Sequence, residues 1–183
     1  MKPLQVAPRL DRLRARFDDA AVDALIVTYL PNVRYLTGFT GSAGVLAVTP
    51  AGALLTTDGR YRTQSAEQVE ESGAVVDITI GALQVQRDAV HAFVGGASRV
   101  GLEADHVSWS DSRQWGDLVG EVFPTSGQVE GLREVKDEGE IDRMARAAAI
   151  ADAALEEVLS MLSDGVSEAD FALALDSAMR RNG

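Results

Sequence analysis

The sequence has no cysteine, and only 5% of its residues are aromatic. The missing thiols exclude disulfides and thiolate metal sites and fit a cytoplasmic protein. No run of about 18 apolar residues occurs, so no membrane span is expected. The opening Met1-Lys2-Pro3-Leu4-Gln5 lacks the apolar stretch of a signal peptide. There are two histidines, His91 and His106, in no H-x-x-x-H or H-E-x-x-H pattern, which is a poor basis for a metal site. Basic residues are also in short supply: 17 Lys and Arg against 28 Asp and Glu give a net charge of −11. That balance argues against a nucleic-acid backbone as partner.

The 183 residues, 46% of them apolar, suffice for one good core and part of a second. Residues 1–129 carry a net −4 and residues 130–183 a net −7. At the same place the pattern changes from mixed strand and turn signals to long helical periodicity. A domain boundary is therefore expected near Gly127 to Gly131, giving segments 1–129 and 130–183. In the first segment, Leu10, Leu13 and Phe17 form the apolar stripe of a charged surface helix. Short branched runs predict strands at 24–27, 45–48, 53–57, 75–80, 99–102 and 121–123. Helical spacing predicts helices at 32–36, 62–71, 82–94 and 110–119. Thr49-Pro50-Ala51-Gly52 joins two of the strands as a hairpin, so the expected α/β domain has a mixed sheet flanked by helices.

The second segment reads as two helices. Asp137-Glu138-Gly139-Glu140 has the spacing of a capped helix start. Ile141, Met144, Ala145, Ala148, Ala151, Leu155, Val158, Leu159 and Leu162 then mark one face over about six turns. Gly165 ends that helix and Ser167 with Asp170 starts another, with Phe171, Ala174, Leu175 and Ala178 apolar and Arg180, Arg181, Asn182 and Gly183 closing it. Covering the longer stripe is worth on the order of 10 kcal/mol. A helical hairpin cannot cover both stripes by itself, so a further surface is expected against it, and the chain reads as cut short.

Leu30 to Gly44, L-P-N-V-R-Y-L-T-G-F-T-G-S-A-G, holds three glycines (Gly38, Gly41, Gly44) and three hydroxyls (Thr37, Thr40, Ser42) around Phe39. Such a loop serves a phosphate, a substrate or partner, or close backbone packing. No Lys follows the glycines, so it is not a P-loop, and G-x-x-G-x-x-G is not the dinucleotide fingerprint. In Thr57-Asp58-Gly59-Arg60-Tyr61, Arg60 could hold a carboxylate, or Arg and Tyr could stack within a turn. Glu103, Asp105 and His106 have the chemistry of ligands, but acids between a strand and a helix commonly cap the helix. No Ser/His/Asp set can be assembled. The residues alone define no active site.

N-V-R-Y-L-T-G-F-T-G-S-A-G (32–44), T-D-G-R-Y (57–61), V-G-L-E (100–103) and L-R-E-V-K-D-x-x-E-I (132–141) together closely resemble the N-terminal half of Xaa-Pro peptidases. These are the aminopeptidase P and prolidase group, built on a creatinase-type architecture. The resemblance implies a mixed, helix-flanked N-terminal domain followed by the helical hairpin that opens a "pita-bread" catalytic domain. It also implies hydrolysis of the bond preceding proline by two divalent metal ions, usually manganese, cobalt or zinc. Their ligands, two Asp, one His and two Glu, map to no residue of this chain, so no metal is expected bound to it and no catalytic residue is expected in it. Homodimers are implied, with the loop at Phe39, Thr40, Gly41 and Ser42, together with Arg60 and Tyr61, beside a neighbouring subunit's cleft. The same architecture also serves as a non-catalytic binding module, as in histone chaperones, and as a metal-free hydrolase of the creatinase kind.

Overall fold

The computed structural model describes residues 2–183, residue 164 by its backbone alone. Two compact units emerge, residues 5–135 and residues 136–183 with 2–4.

The first unit opens with α1 (Arg9–Arg14) and α2 (Phe17–Ala20). They replace the single helix expected from the apolar stripe: the Arg16 N–H turns back to the Leu13 carbonyl at 3.0 Å and closes α1 with a tight turn. Leu10, Leu13 and Phe17 are nonetheless buried together. Then follow β1 (Ala24–Val27), α3 (Leu30–Thr37), β2 (Val45–Val48), β3 (Ala53–Thr57), α4 (Arg62–Ser72) and β4 (Asp77–Ile80). The unit is completed by α5 (Leu83–Val94), β5 (Val100–Glu103), α6 (Trp109–Val119), β6 (Val122–Thr125) and α7 (Glu130–Glu134).

The strands form one six-stranded sheet in the order β4-β3-β2-β1-β5-β6. β1 pairs antiparallel with β2 and β2 with β3, whereas β1–β5, β3–β4 and β5–β6 are parallel. Of the six described strands, β2 runs against the other five. Alternation along β1 divides the core between the two faces. Leu25 and Val27 join Leu46, Val48 and Leu55 beneath α1 to α4. Ala24 and Ile26 join Ala47, Val100 and Leu102 beneath Val90 and Val94 of α5. The expected α/β class, a mixed sheet flanked by helices, is the observed one.

Residues 130–135, grouped by composition with the acidic tail, belong to the first unit. The Tyr35 hydroxyl donates to the Leu132 carbonyl at 3.1 Å, and Arg133 Nη1 donates to Asn32 Oδ1 at 2.9 Å. The break falls after Val135.

The second unit is a hairpin of α8 (Glu138–Val158) and α9 (Glu168–Asn182), joined through a tighter helical stretch at Leu159–Asp164. Asp137 and Glu140 form the capping box read from the sequence, and Ser167 caps α9. Gly165 ends the first helix at φ 69°, a left-handed conformation that suits glycine. The buried seam uses the expected apolar face of α9 but only Val158 of the long stripe that the periodicity marks. Ala154, Val158 and Ala178 are the buried residues, with Met161, Phe171, Ala174 and Leu175 packed beside them. Small side chains let the two helices approach closely. Of the marked stripe, Ile141, Met144, Leu155, Leu159 and Leu162 stay 43–58% exposed. No helix among the described residues is long and apolar enough to cross a membrane.

Candidate functional site

The glycine loop is built around Phe39. Thr37 donates to the Val33 carbonyl at 2.7 Å and accepts from the Phe39 N–H at 3.1 Å, closing α3 from inside the unit. Gly38 then turns the chain at φ 78°, where an added Cβ would lie 2.7 Å from Ser72 Cβ. Phe39, 1% exposed, points into the core and meets Tyr61 edge-on at 5.5 Å. The loop wraps back over its ring so closely that a Cβ on Gly41 would lie 2.1 Å from Phe39 Cζ, and one on Gly44 3.0 Å from Cε1. The glycines therefore supply close packing and a left-handed turn rather than a phosphate cradle.

The loop's outer edge is polar and pinned. The Thr40 N–H donates to Gln68 Oε1 at 2.8 Å, and its hydroxyl accepts from Gln64 and Gln68 at 3.0 and 2.9 Å. Ser42 and Tyr61 share a 2.6 Å hydroxyl–hydroxyl bond, which holds the Tyr61 phenol below its ordinary pKa. Arg60 turns its fork onto Asp58, Nε to Oδ1 at 2.9 Å and Nη2 to Oδ2 at 2.8 Å, while its own N–H also donates to Oδ1. The Arg60 hydrogen bonds hold the Asp58 carboxyl below its usual range, and Asp58 in turn raises Arg60. Of the six sequence-selected residues, Phe39 and Gly41 are buried, while Thr40, Ser42 and Arg60 are exposed and Tyr61 half-buried. The exposed ones can offer hydroxyls and one guanidinium edge to a peptide backbone. They contain no nucleophile with a base.

A second cluster lies at the carboxyl end of β1 and β5. Glu103, 5% exposed, places Oε2 on the N–H groups of Thr28 and Tyr29 at 2.7 and 2.9 Å. Those donors stand at the entry to α3, so Glu103 caps the helix that follows the neighbouring strand. The next helix in sequence, α6, takes Ser108 instead, which accepts from the Asp111 N–H at 3.1 Å. Glu103 Oε1 accepts from Asn32 Nδ2 at 2.7 Å, and the same nitrogen donates to Glu130 Oε1 at 2.6 Å. Glu130 pairs with His106 Nε2 at 3.0 Å, and the His106 ring stacks on Tyr29 at 3.8 Å and 5°. Asp105 sits in the exposed turn before α6, and His91 is exposed on α5.

Burial pushes the Glu103 carboxyl up despite its three donors, and the nearby Glu130 charge adds to the rise. For Glu130 burial also acts upward, but hydrogen bonds from Asn32, its own backbone and His106 outweigh it and leave it below the usual range. Among the described residues no group of three or more His, Asp or Glu side chains could hold a metal ion. Sequence reasoning names Glu103 and His106 but not the network that joins them to Asn32, Glu130 and Arg133. Its further signal is that Asn32, Glu103 and Arg133 each sit in a different one of the four short motifs.

The Creatinase/Prolidase N-terminal domain family matches residues 9–135. Over 177 residues the chain is 33% identical to the uncharacterized peptidase YqhT of Bacillus subtilis (strain 168), covering 96% of this chain and 49% of that protein. It thus spans about half the length of that relative. It superposes on the Xaa-Pro dipeptidase from Bacillus anthracis with a TM-score of 0.86 and 35% identity, covering 96% of this chain and 49% of the other. The N-terminal domain of the cytoplasmic peptidase PepQ from Mycobacterium tuberculosis H37Rv aligns at TM-score 0.58 and 33% identity, over 69% of this chain and 98% of that one.

Proposed function

The chain belongs to the Creatinase/Prolidase N-terminal domain family, and we propose that it is the N-terminal part of a cytoplasmic Xaa-Pro peptidase that hydrolyses the bond preceding proline. One observation carries this reading: the superposition on the Xaa-Pro dipeptidase at 35% identity takes in 96% of the chain, hairpin as well as sheet domain. The exposed apolar stripe along α8 and the tighter stretch after it supports this reading, because Ile141, Met144, Leu155, Leu159 and Leu162 are 43–58% exposed and suit cover by the remainder of a catalytic domain.

In the proposed enzyme, a pair of divalent ions (manganese, cobalt or zinc) would supply Lewis-acid activation of a water and of the scissile carbonyl. The described residues do not fit that pair, since no group of three or more His, Asp or Glu side chains among them could hold even one ion. No catalytic step is therefore assigned to this chain. Its proposed work is positional: in a homodimer it helps close the partner subunit's cleft over a proline-containing peptide. The parts suited to this are Thr40, Ser42, Arg60 and Tyr61 at the outer edge of the loop, with buried Phe39 and close-packed Gly41 setting its shape. A wall already fixed by hydrogen bonds excludes water without an ordering cost at each turnover.

The test uses Leu-Pro with manganese. The purified 183-residue chain should release no proline, while the protein extended by the remaining half of the aligned length should release it. Manganese-dependent release by the chain alone would overturn the positional role. An extended, folded protein that binds manganese yet leaves Xaa-Pro bonds intact would overturn the peptidase reading. In the active protein, Ser42→Ala and Tyr61→Phe should raise KM with kcat little changed, the signature of a lost ground-state contact.

A further inference from the structure

Opposite the loop face of the sheet, α5 and α6 stand apart over the ends of three strands and leave a cavity of about 330 Å³. Its floor includes Thr28 just past β1, Val45 at the start of β2 and Thr56 near the end of β3, with His106 following β5. β1, β3 and β5 run in the same direction. The cavity is therefore a crevice at strand carboxyl ends, the position where open α/β sheets hold ligands. Its volume lies near the lower end of ligand pockets, about 300–1,000 Å³.

Each of its two walls carries a charge, positive on one and negative on the other. Arg87 on α5 and Asp111 on α6 both line the cavity, yet among the described residues neither has an ion-pair partner. Arg87 Nη2 donates to the neutral Gln114 Oε1 at 2.6 Å, which leaves the rest of its fork available. Asp111 Oδ2 accepts from the Ser108 hydroxyl at 2.7 Å, which leaves Oδ1. Gln86 Nε2 is committed to the Gly81 carbonyl at 2.9 Å, so its oxygen remains an acceptor. Between these walls Val45, Val90 and Trp115 supply apolar surface.

We propose that this crevice binds a small zwitterion, an α-amino acid with an apolar side chain. Arg87 and the Gln114 amide face its carboxylate, Asp111 and the Gln86 oxygen its ammonium group, and the apolar wall its side chain. A carboxylate on a guanidinium fork and an ammonium on a carboxylate are the strong, charge-assisted pairings. A site with both discriminates against any analogue that lacks either group, because a charged wall group is then left unpaired. This inference does not depend on the peptidase reading, and its test needs no catalysis.

The test is a titration of the ¹⁵N-labelled 183-residue chain with L-leucine, L-leucinamide and N-acetyl-L-leucine, followed by amide chemical shifts. L-leucine should give saturable shifts at Thr28, Gln86 and Gln114, with a Kd at or below about 1 mM. The two analogues, each lacking one charge, should bind at least about tenfold more weakly. Arg87→Met and Asp111→Asn should each weaken L-leucine to a similar degree, with the shifts of Leu25 and Ile26 unchanged as the sign that the sheet is intact. Absence of saturable shifts up to about 10 mM overturns the proposal. So do equal binding of all three ligands and binding unaffected by Arg87→Met.

Discussion

Leu25, Leu46 and Leu55 in the sheet domain are fully buried, whereas Leu155, Leu159 and Leu162 in the hairpin are 43–56% exposed. Both sets lie at spacings that mark an apolar face. In the sheet domain, strands and helices arrive from both sides, so each marked face meets another. In the hairpin the Ala154, Val158 and Ala178 seam is closed, and the wider stripe along α8 and the stretch after it stays open. An amphipathic pattern thus states that a face wants cover without stating what covers it. The difference also separates two kinds of glycine-rich or alanine-rich sequence. Gly41 and Gly44 admit an aromatic ring against the backbone, while Ala154 and Ala178 admit a second helix.

The contrast can be broken first at Phe39. Replacing it with Ala should cost about 3–5 kcal/mol, read by urea unfolding, because the side chain is fully buried and the loop is wrapped on it. Gly41→Ala should cost about 1–3 kcal/mol in the native sequence, since its Cβ falls 2.1 Å from Phe39 Cζ. In a Phe39→Leu background that cost should shrink, because the two changes touch the same space. Additive costs would show that the ring does not dictate the glycine.

Glu103→Gln comes next, at about 1–3 kcal/mol, since an amide in place of the carboxylate sets a donor against Asn32. The effect should depend on pH. Burial raises the Glu103 pKa, so the folded chain holds that proton more tightly than the unfolded one. Its contribution is then fully present below the ordinary carboxylate pKa and declines as pH rises through the raised value. Glu130 has the opposite sign: held low, it contributes above the ordinary pKa and loses that contribution as pH falls through the lowered one. The gap between the native chain and Glu130→Gln should therefore widen with rising pH across the acid range, and a gap that narrows would refute the assignment.

The smallest effect is expected on the open stripe. Leu159→Gln and Leu162→Gln in the isolated chain should stay within about 0.5 kcal/mol of the native stability. A loss like that of Phe39→Ala would mean that the stripe is covered in solution. In the extended protein the same changes should be costly, and that reversal is the sharpest form of the comparison.

Local signals were legible wherever the physics is local. Strands 24–27, 45–48 and 53–57 were read to the residue, because branched runs are bounded by turn residues and the hairpin carries its own Pro and Gly. The Asp137 box and the Ser167 cap were equally plain, since each acts over three residues. The break between α1 and α2 was not, as no Pro or Gly marks it. Nor was the polar network under α3: Asn32 meets Glu103 and Glu130 across 71 and 98 positions, and no spacing rule operates at that range. The loop lay between these cases. Its glycines announced a constrained shape, but only the structure showed that Phe39 is the object they are shaped around.

By itself, then, the sequence determined the α/β class, most element positions, the capped helical hairpin and the four motifs of the Xaa-Pro peptidase resemblance. Tertiary structure decided which residues of those motifs meet, which face of α8 is closed, and where two unpaired charges flank one cavity. The reason is physical. Periodicity, capping and turn chemistry act within a few residues, whereas burial and charge pairing depend on neighbours that only the folded sheet brings together.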